Sequence, residues 1–248
     1  MTIPVETVAL AGFIITLAYT IFGLTGFGSS ITAVPLLAQI FPLRFVVPMM
    51  VLFDLCAGLL FGARNHRAIS RPELLRILPF MLIGIALGGY VLVYAPEGLL
   101  LLSLGTFVLV YAGWSLLMRP NAEPVRARWS APCGIVGGMF SAVFGTGGPV
   151  YTMYLARRLP EKDTLRATIA SVIMLSGVSR FALFSSTGLY GGDALLLVAA
   201  LLAPCAMVGL FVGSRLHRRL PTHRVVQAVW VVLIIGGISL IVRALATA

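Results

Sequence analysis

Residues 23–35 read GLTGFGSSITAVP, three glycines and four hydroxyl residues closed by Pro35, set between two runs apolar enough to lie in lipid. A related break, FGTGGPVY, stands at residues 144–151 in the later half of the chain. Glycine and proline interrupt regular backbone, and irregular backbone at membrane depth is tolerated only where protein or a water-lined cavity satisfies its polar groups. How the two breaks are accommodated therefore decides the fold.

The class follows from composition. The chain has 248 residues, of which 59% are hydrophobic and 10% charged, with a mean hydropathy of +1.02. No soluble core absorbs that much apolar surface with so few charges to coat it, so the chain reads as an integral, multi-pass membrane protein. Apolar stretches at 44–61, 74–93, 98–118, 165–186, 194–213 and 225–242 are long enough to cross ~30 Å of hydrocarbon at 1.5 Å per residue. Two segments remain, 7–40 and 129–159, and these hold the breaks. The start of the chain, MTIPVETVAL, carries Glu6 instead of a basic region, and its apolar run outlasts a signal sequence, so it is expected to stay. Cys56, Cys133 and Cys205 stand singly in apolar runs and read as packing residues; neither a metal nor another cofactor is expected. The excess of 18 Lys and Arg over 8 Asp and Glu reads as the charge bias of membrane insertion and not as a nucleic-acid surface.

The halves repeat. An offset of 125 residues places Pro79 on Pro204, Gly84 on Gly209, Gly88 on Gly213 and Pro96 on Pro221, while the breaks align at 119, Gly26 on Gly145 and Gly28 on Gly147. Each half then holds one broken segment followed by three helices. Basic residues choose the topology. If both broken segments cross fully, eight basic loop residues fall inside and nine outside, which is no bias. If each turns back as a hairpin, loops 62–76, 119–128, 157–166 and 215–224 all become cytoplasmic, placing fifteen basic residues inside against Arg44 and Arg243 outside. The fold expected is thus all-α and polytopic, with two inverted repeats (1–120 and 121–248), each a broken, re-entrant helical hairpin (7–40, 129–159) followed by three transmembrane helices. The second hairpin follows from charge and repeat together, the first from the repeat.

A half-helix beginning after each break presents free amides and a partial positive charge, a setting for an anion. The hydroxyls of Thr25, Ser29, Ser30, Thr146, Tyr151 and Thr152 would add neutral donors around the glycine tips Gly26, Phe27 and Gly28, and Gly145, Gly147 and Gly148, which the inverted arrangement brings toward each other near the membrane midplane. Small residues also let helices pack closely in lipid, the plain alternative for any one glycine. Asp54 and Arg180 fall inside predicted spans, where an ionisable group is costly and marks function by default. Arg180 is a candidate anion ligand and Asp54 a coupling or gating group, with a simple ion pair as the alternative. His66, His217 and His223 lie at predicted cytoplasmic edges, where a solvent or headgroup role is expected.

The stretch GFGSSITAVPLL, its counterpart GTGGPVYTMYLA, and their spacing resemble the TauE/SafE family of sulfite and organosulfonate exporters, over essentially the whole chain. Gly26, Phe27, Gly28, Pro35 and Leu36 match the first family motif; Gly145, Gly147, Gly148 and Pro149 match the second. Ser29 and Ser30 stand where many members continue with glycine, and Tyr154 where a later proline often stands. The resemblance implies transport of a small sulfur-containing anion, sulfite, sulfoacetate or a related organosulfonate, across a bacterial inner membrane, without enzymatic activity. Its partners would be that substrate and the lipid bilayer, with proton coupling through Asp54 as one drive. LSGVSRFAL also resembles segments of membrane lipid-phosphate hydrolases, but such chemistry needs an embedded acid cluster or histidine, and Glu6, Glu73, Glu97, Glu123 and Glu161 fall in loops or at helix ends. A non-transporting structural subunit is the third reading.

Overall fold

A computed structural model describes residues 4–25, 28–62, 68–117, 125–191, 193–216 and 234–244. They form helices α1 (Val5–Thr25), α2 (Ser29–Leu37), α3 (Leu43–Gly62), α4 (Arg71–Tyr94), α5 (Glu97–Leu117), α6 (Ser130–Phe144), α7 (Gly148–Leu155), α8 (Lys162–Ser186), α9 (Asp193–Leu216) and α10 (Ile234–Ala244). Among the described residues there is no strand. Four of the helices, α1, α4, α8 and α9, are long and apolar enough to cross a membrane. The predicted span at 225–242 is described only from residue 234, and the three histidines lie outside the described residues.

Two compact units draw on both halves of the chain. The first comprises Met1–Phe53, Ala95–Met118 and Leu189–Ala248; the second comprises Asp54–Tyr94 and Arg119–Gly188. In the first unit α1 lies along α9, with the Thr16 and Thr20 carbonyls where side chains on Gly209 and Gly213 would stand. In the second unit α6 lies along α4, and the Ile135 and Met139 carbonyls occupy the equivalent space at Gly84 and Gly88. The glycines that align at an offset of 125 thus do the same work in the two units, admitting a neighbouring backbone to contact where any Cβ would block it.

The broken segments differ in length. In the second unit α6 has 15 residues, about 22 Å at 1.5 Å per residue, too short to cross ~30 Å of hydrocarbon. After the break α7 runs back along it: the Tyr151 ring covers Gly137, and Gly147 sits against the Gly137 carbonyl and Ser141. At the far end the Tyr154 hydroxyl reaches the Ala127 carbonyl (3.4 Å) and Arg158 Nη1 the Val125 carbonyl (3.3 Å). The segment 129–159 therefore leaves this unit at the end where it enters. In the first unit α2 also contacts α1, but α1 has 21 residues and is long enough to cross by itself. The first hairpin is thus the less symmetric of the pair.

The hairpin of the second unit is held by an apolar core. Ile77, Met81 and Ile85 from α4, Ala142 from α6, Tyr151, Tyr154 and Leu155 from α7 and Val172 from α8 pack together, all nearly fully buried. Outward faces of α4, α8 and α9 stay apolar and exposed, as Leu82, Leu87, Phe181, Leu197 and Phe211 show, which suits lipid and not water.

Candidate functional site

The second break is built by Gly145. Its φ of 71° is left-handed, a conformation that glycine adopts without strain. In it the Gly145 amide donates to the Ser141 carbonyl (2.9 Å) and the Thr146 amide to the Phe140 carbonyl (3.3 Å), the paired bonds of a glycine helix cap. Pro149 follows in the first turn of α7, where its missing N–H costs nothing. The chain reverses in three residues and leaves the opening amides of α7 at the bend.

Polar side chains from three elements gather there. Ser141 on α6 and Ser176 on α8 share a hydrogen bond of 2.6 Å, with both residues buried. Arg180, one turn beyond Ser176 on the same face of α8, is 2% exposed and donates from Nη1 to the Ser141 carbonyl at 3.1 Å. That carbonyl lies in the last turn of α6, where the helix dipole favours a cation. Arg180 Nη2 stands 3.9 Å from Asp54 Oδ2, within ion-pair range but beyond a hydrogen bond. Arg180 thus closes the bend as well as carrying charge to it.

Two hydroxyls at the bend are buried with no hydrogen-bond partner among the described residues, Thr146 Oγ1 and Tyr151 Oη. Tyr151 Oη approaches Ser176 without reaching hydrogen-bond geometry, and Arg180 is close enough to act on it electrostatically. Leaving a hydroxyl buried and unbonded costs about 1–3 kcal/mol, so each of these groups calls for an acceptor. In contrast, Thr152 donates to the Gly148 carbonyl at 2.9 Å and is occupied within its own helix.

In the first unit Gly28 takes the corresponding left-handed turn, φ 97°, ahead of α2. Ser29 and Ser30 are both 4% exposed, and the buried Thr32 hydroxyl, at the repeat position of Tyr151, has no hydrogen-bond partner among the described residues. Gly26 and Phe27 lie outside the described residues, and Thr25 ends α1. Of the residues singled out in the sequence, Asp54, Gly145, Thr146, Gly147, Gly148, Tyr151 and Arg180 meet within the second unit, and Gly28, Ser29 and Ser30 lie together in the first. The reading missed Ser141, Ser176 and Thr32. Ser176 had a signal, since its spacing of four from Arg180 places both on one helical face; Ser141 and Thr32 look like ordinary small residues of a packed helix.

A second polar cluster ties the open end of the same hairpin. Glu73, in the first turn of α4 and 5% exposed, accepts from Tyr154 Oη (2.7 Å), Arg158 Nη2 (2.7 Å) and Nε (3.2 Å), and Arg76 Nη1 (2.8 Å). These bonds to the carboxylate raise the Arg158 guanidinium above even its ordinary pKa, so it stays charged. Glu73 is at a helix end, as its position suggested, yet it is buried and saturated. Cys133 packs against the hairpin core and all three cysteines are free.

With this geometry in view, the comparisons are consistent with one another. The family model described as "Sulfite exporter TauE/SafE" matches residues 9–240. The chain is 29% identical over 196 residues, 77% of its own length and 81% of the relative's, to the "Probable inner membrane transporter protein TsaS" of Comamonas testosteroni. No solved structure matches it.

Proposed function

Because the chain belongs to the TauE/SafE sulfite exporter family, we propose that it carries a small sulfur oxyanion, sulfite, sulfoacetate or a related organosulfonate, across the bacterial inner membrane. The anion binds at the bend of the second hairpin. The observation that carries this reading is that two buried hydroxyls, Thr146 at the bend and Tyr151 on α7, have no hydrogen-bond partner among the described residues, while Arg180 bonds to the Ser141 carbonyl at the same bend. An oxyanion offers the acceptors these donors lack, and the opening amides of α7 and the guanidinium favour its charge without a second cation in the low-dielectric interior. The tip of the other half, Thr25 to Ser30, serves the same purpose in its own unit, in line with two halves of opposite orientation. Asp54 balances Arg180 in the empty state, and its protonation would release Arg180 to the anion, coupling a proton to transport. The inside-negative potential alone pushes an anion outward at ~2.3 kcal/mol per charge per 100 mV.

The test is thermal stabilisation of the detergent-purified protein by sulfite, sulfoacetate, taurine, sulfate, thiosulfate and chloride. A ligand at a hundred times its Kd adds about 2.7 kcal/mol to native stability. Arg180→Ala is a poor sole control, since it also removes a bond to the hairpin. Tyr151→Phe and Thr146→Val remove hydroxyls that have no hydrogen-bond partner among the described residues, so both variants should fold nearly as well as the wild type and lose most of the stabilisation. Stabilisation unchanged in both variants would sink this site.

A further inference from the structure

The cluster at Glu73 has the chemistry of a loaded anion site. Its donors come from separate pieces of chain: Arg76 from α4, Tyr154 from α7, and Arg158 from the turn beyond it. All the guanidinium bonds converge on Oε1, while Oε2 takes the Tyr154 hydroxyl at 2.7 Å. Two guanidinium groups and a phenol around a planar O–C–O are a donor set that fits an O–S–O edge equally well. Two further features separate it from a plain structural ion pair. Among the described residues, two arginines share the one carboxylate of Glu73. The cations are also reachable, Arg76 and Arg158 having 47% and 27% of their side chains exposed while that of Glu73 has 6%. An anion can approach from solvent toward donors whose bound partner faces inward.

We propose that Arg158, Arg76 and Tyr154 form a loading site for the transported oxyanion, and that Glu73 is its resident stand-in, displaced when the substrate arrives. Loading then frees the end of α7 from α4, and the other end of that helix is the bend where Thr146 and Tyr151 wait. Tyr154 lies seven residues from the helix-capping Gly147, about 10 Å along the axis, so one short rigid rod links the two positions. The inference rests on the transport reading above and names where substrate first docks.

Sulfite and sulfoacetate flux into proteoliposomes, measured against concentration for the wild type, Glu73→Gln, Arg158→Gln and Tyr154→Phe, tests it, each variant assayed below its own Tm. Glu73→Gln removes a charged competitor and should lower the half-saturating concentration about tenfold, the worth of one charge-assisted bond. Arg158→Gln should raise it by a similar factor, and Tyr154→Phe, which keeps the ring and its packing, should raise it less. A clamp with no docking role predicts shifts in Tm and maximal rate with half-saturation unchanged in all three, and that result overturns the proposal. If instead the wild type moves neither anion, the transport reading falls and takes this inference with it; if the wild type moves them and half-saturation is unchanged in all three variants, only the loading site falls.

Discussion

Arg180 and Glu73 are the two costly side chains of the second unit, and each is stabilised in a different way. Arg180 leans on a helix C-terminus and on a carboxylate 3.9 Å away. Glu73 is saturated by three residues, so its removal strands several donors at once. Glu73→Ala should cost about 1–3 kcal/mol through the unpaired Tyr154 hydroxyl and Arg158. Arg158→Ala should cost less, its side chain being 27% exposed, and Arg76→Ala, 47% exposed, close to nothing. An unfolding midpoint in detergent that was lower for Arg76→Ala than for Glu73→Ala would contradict this account. At this scale the rules that single out one residue type, a charge in an apolar span or a glycine near a proline, picked out the position of a buried arginine and of a left-handed turn. They were silent on Glu73 and Tyr154. Three turns of chemistry separate neither from an ordinary helix end, and Tyr154 looked only like a missing proline, whereas its hydroxyl in fact holds a buried carboxylate.

The bend and the paired helices carry the argument at the scale of elements. Gly145 is left-handed at φ 71°, so Gly145→Ala should cost about 1–2 kcal/mol from backbone strain alone. Gly148→Ala, whose added Cβ would find only the flexible tip of Ile173 at 3.5 Å, should be nearly neutral. The two variants differ by one methyl each, so comparing their Tm values isolates the strain; equal values would mean that the bend is not set by this conformation. Helix boundaries were legible to within about three residues because hydropathy changes sharply at loops: 74–93 was expected against Arg71–Tyr94, and 98–118 against Glu97–Leu117. Which helix lies against which was not. Gly84, Gly88, Gly209 and Gly213 were matched as a repeat, but their use as seats for a facing backbone appears only once the partner helix is in place.

For the whole molecule the decisive expectation concerns sidedness. Ends 127 and 158 of the second hairpin meet at one end of their unit, and the basic segments around residues 71–76, 125–128 and 157–158 lie there together. In a background free of Cys56, Cys133 and Cys205, single cysteines at Arg128→Cys and Pro160→Cys should therefore react with an impermeant maleimide from the same face of the membrane. Labelling from opposite faces would mean that the segment crosses. The charge count that suggests this sums over the whole loops on which insertion acts, whereas binding depends on single atoms that composition does not register.

The pairing of α1 with α9 also has a temporal side. Helix α1 rests on one that starts at Asp193, with the whole second unit encoded between them. At about 5–20 residues per second, α1 waits roughly ten to thirty seconds for its partner. During that interval its glycine and threonine face must be kept from other helices by lipid or by the insertion machinery. The second unit faces no such delay, because α4 is already in the membrane when α6 emerges. Biogenesis of this protein is thus staggered: α4 and α6 can pair early, whereas α1 waits for α9.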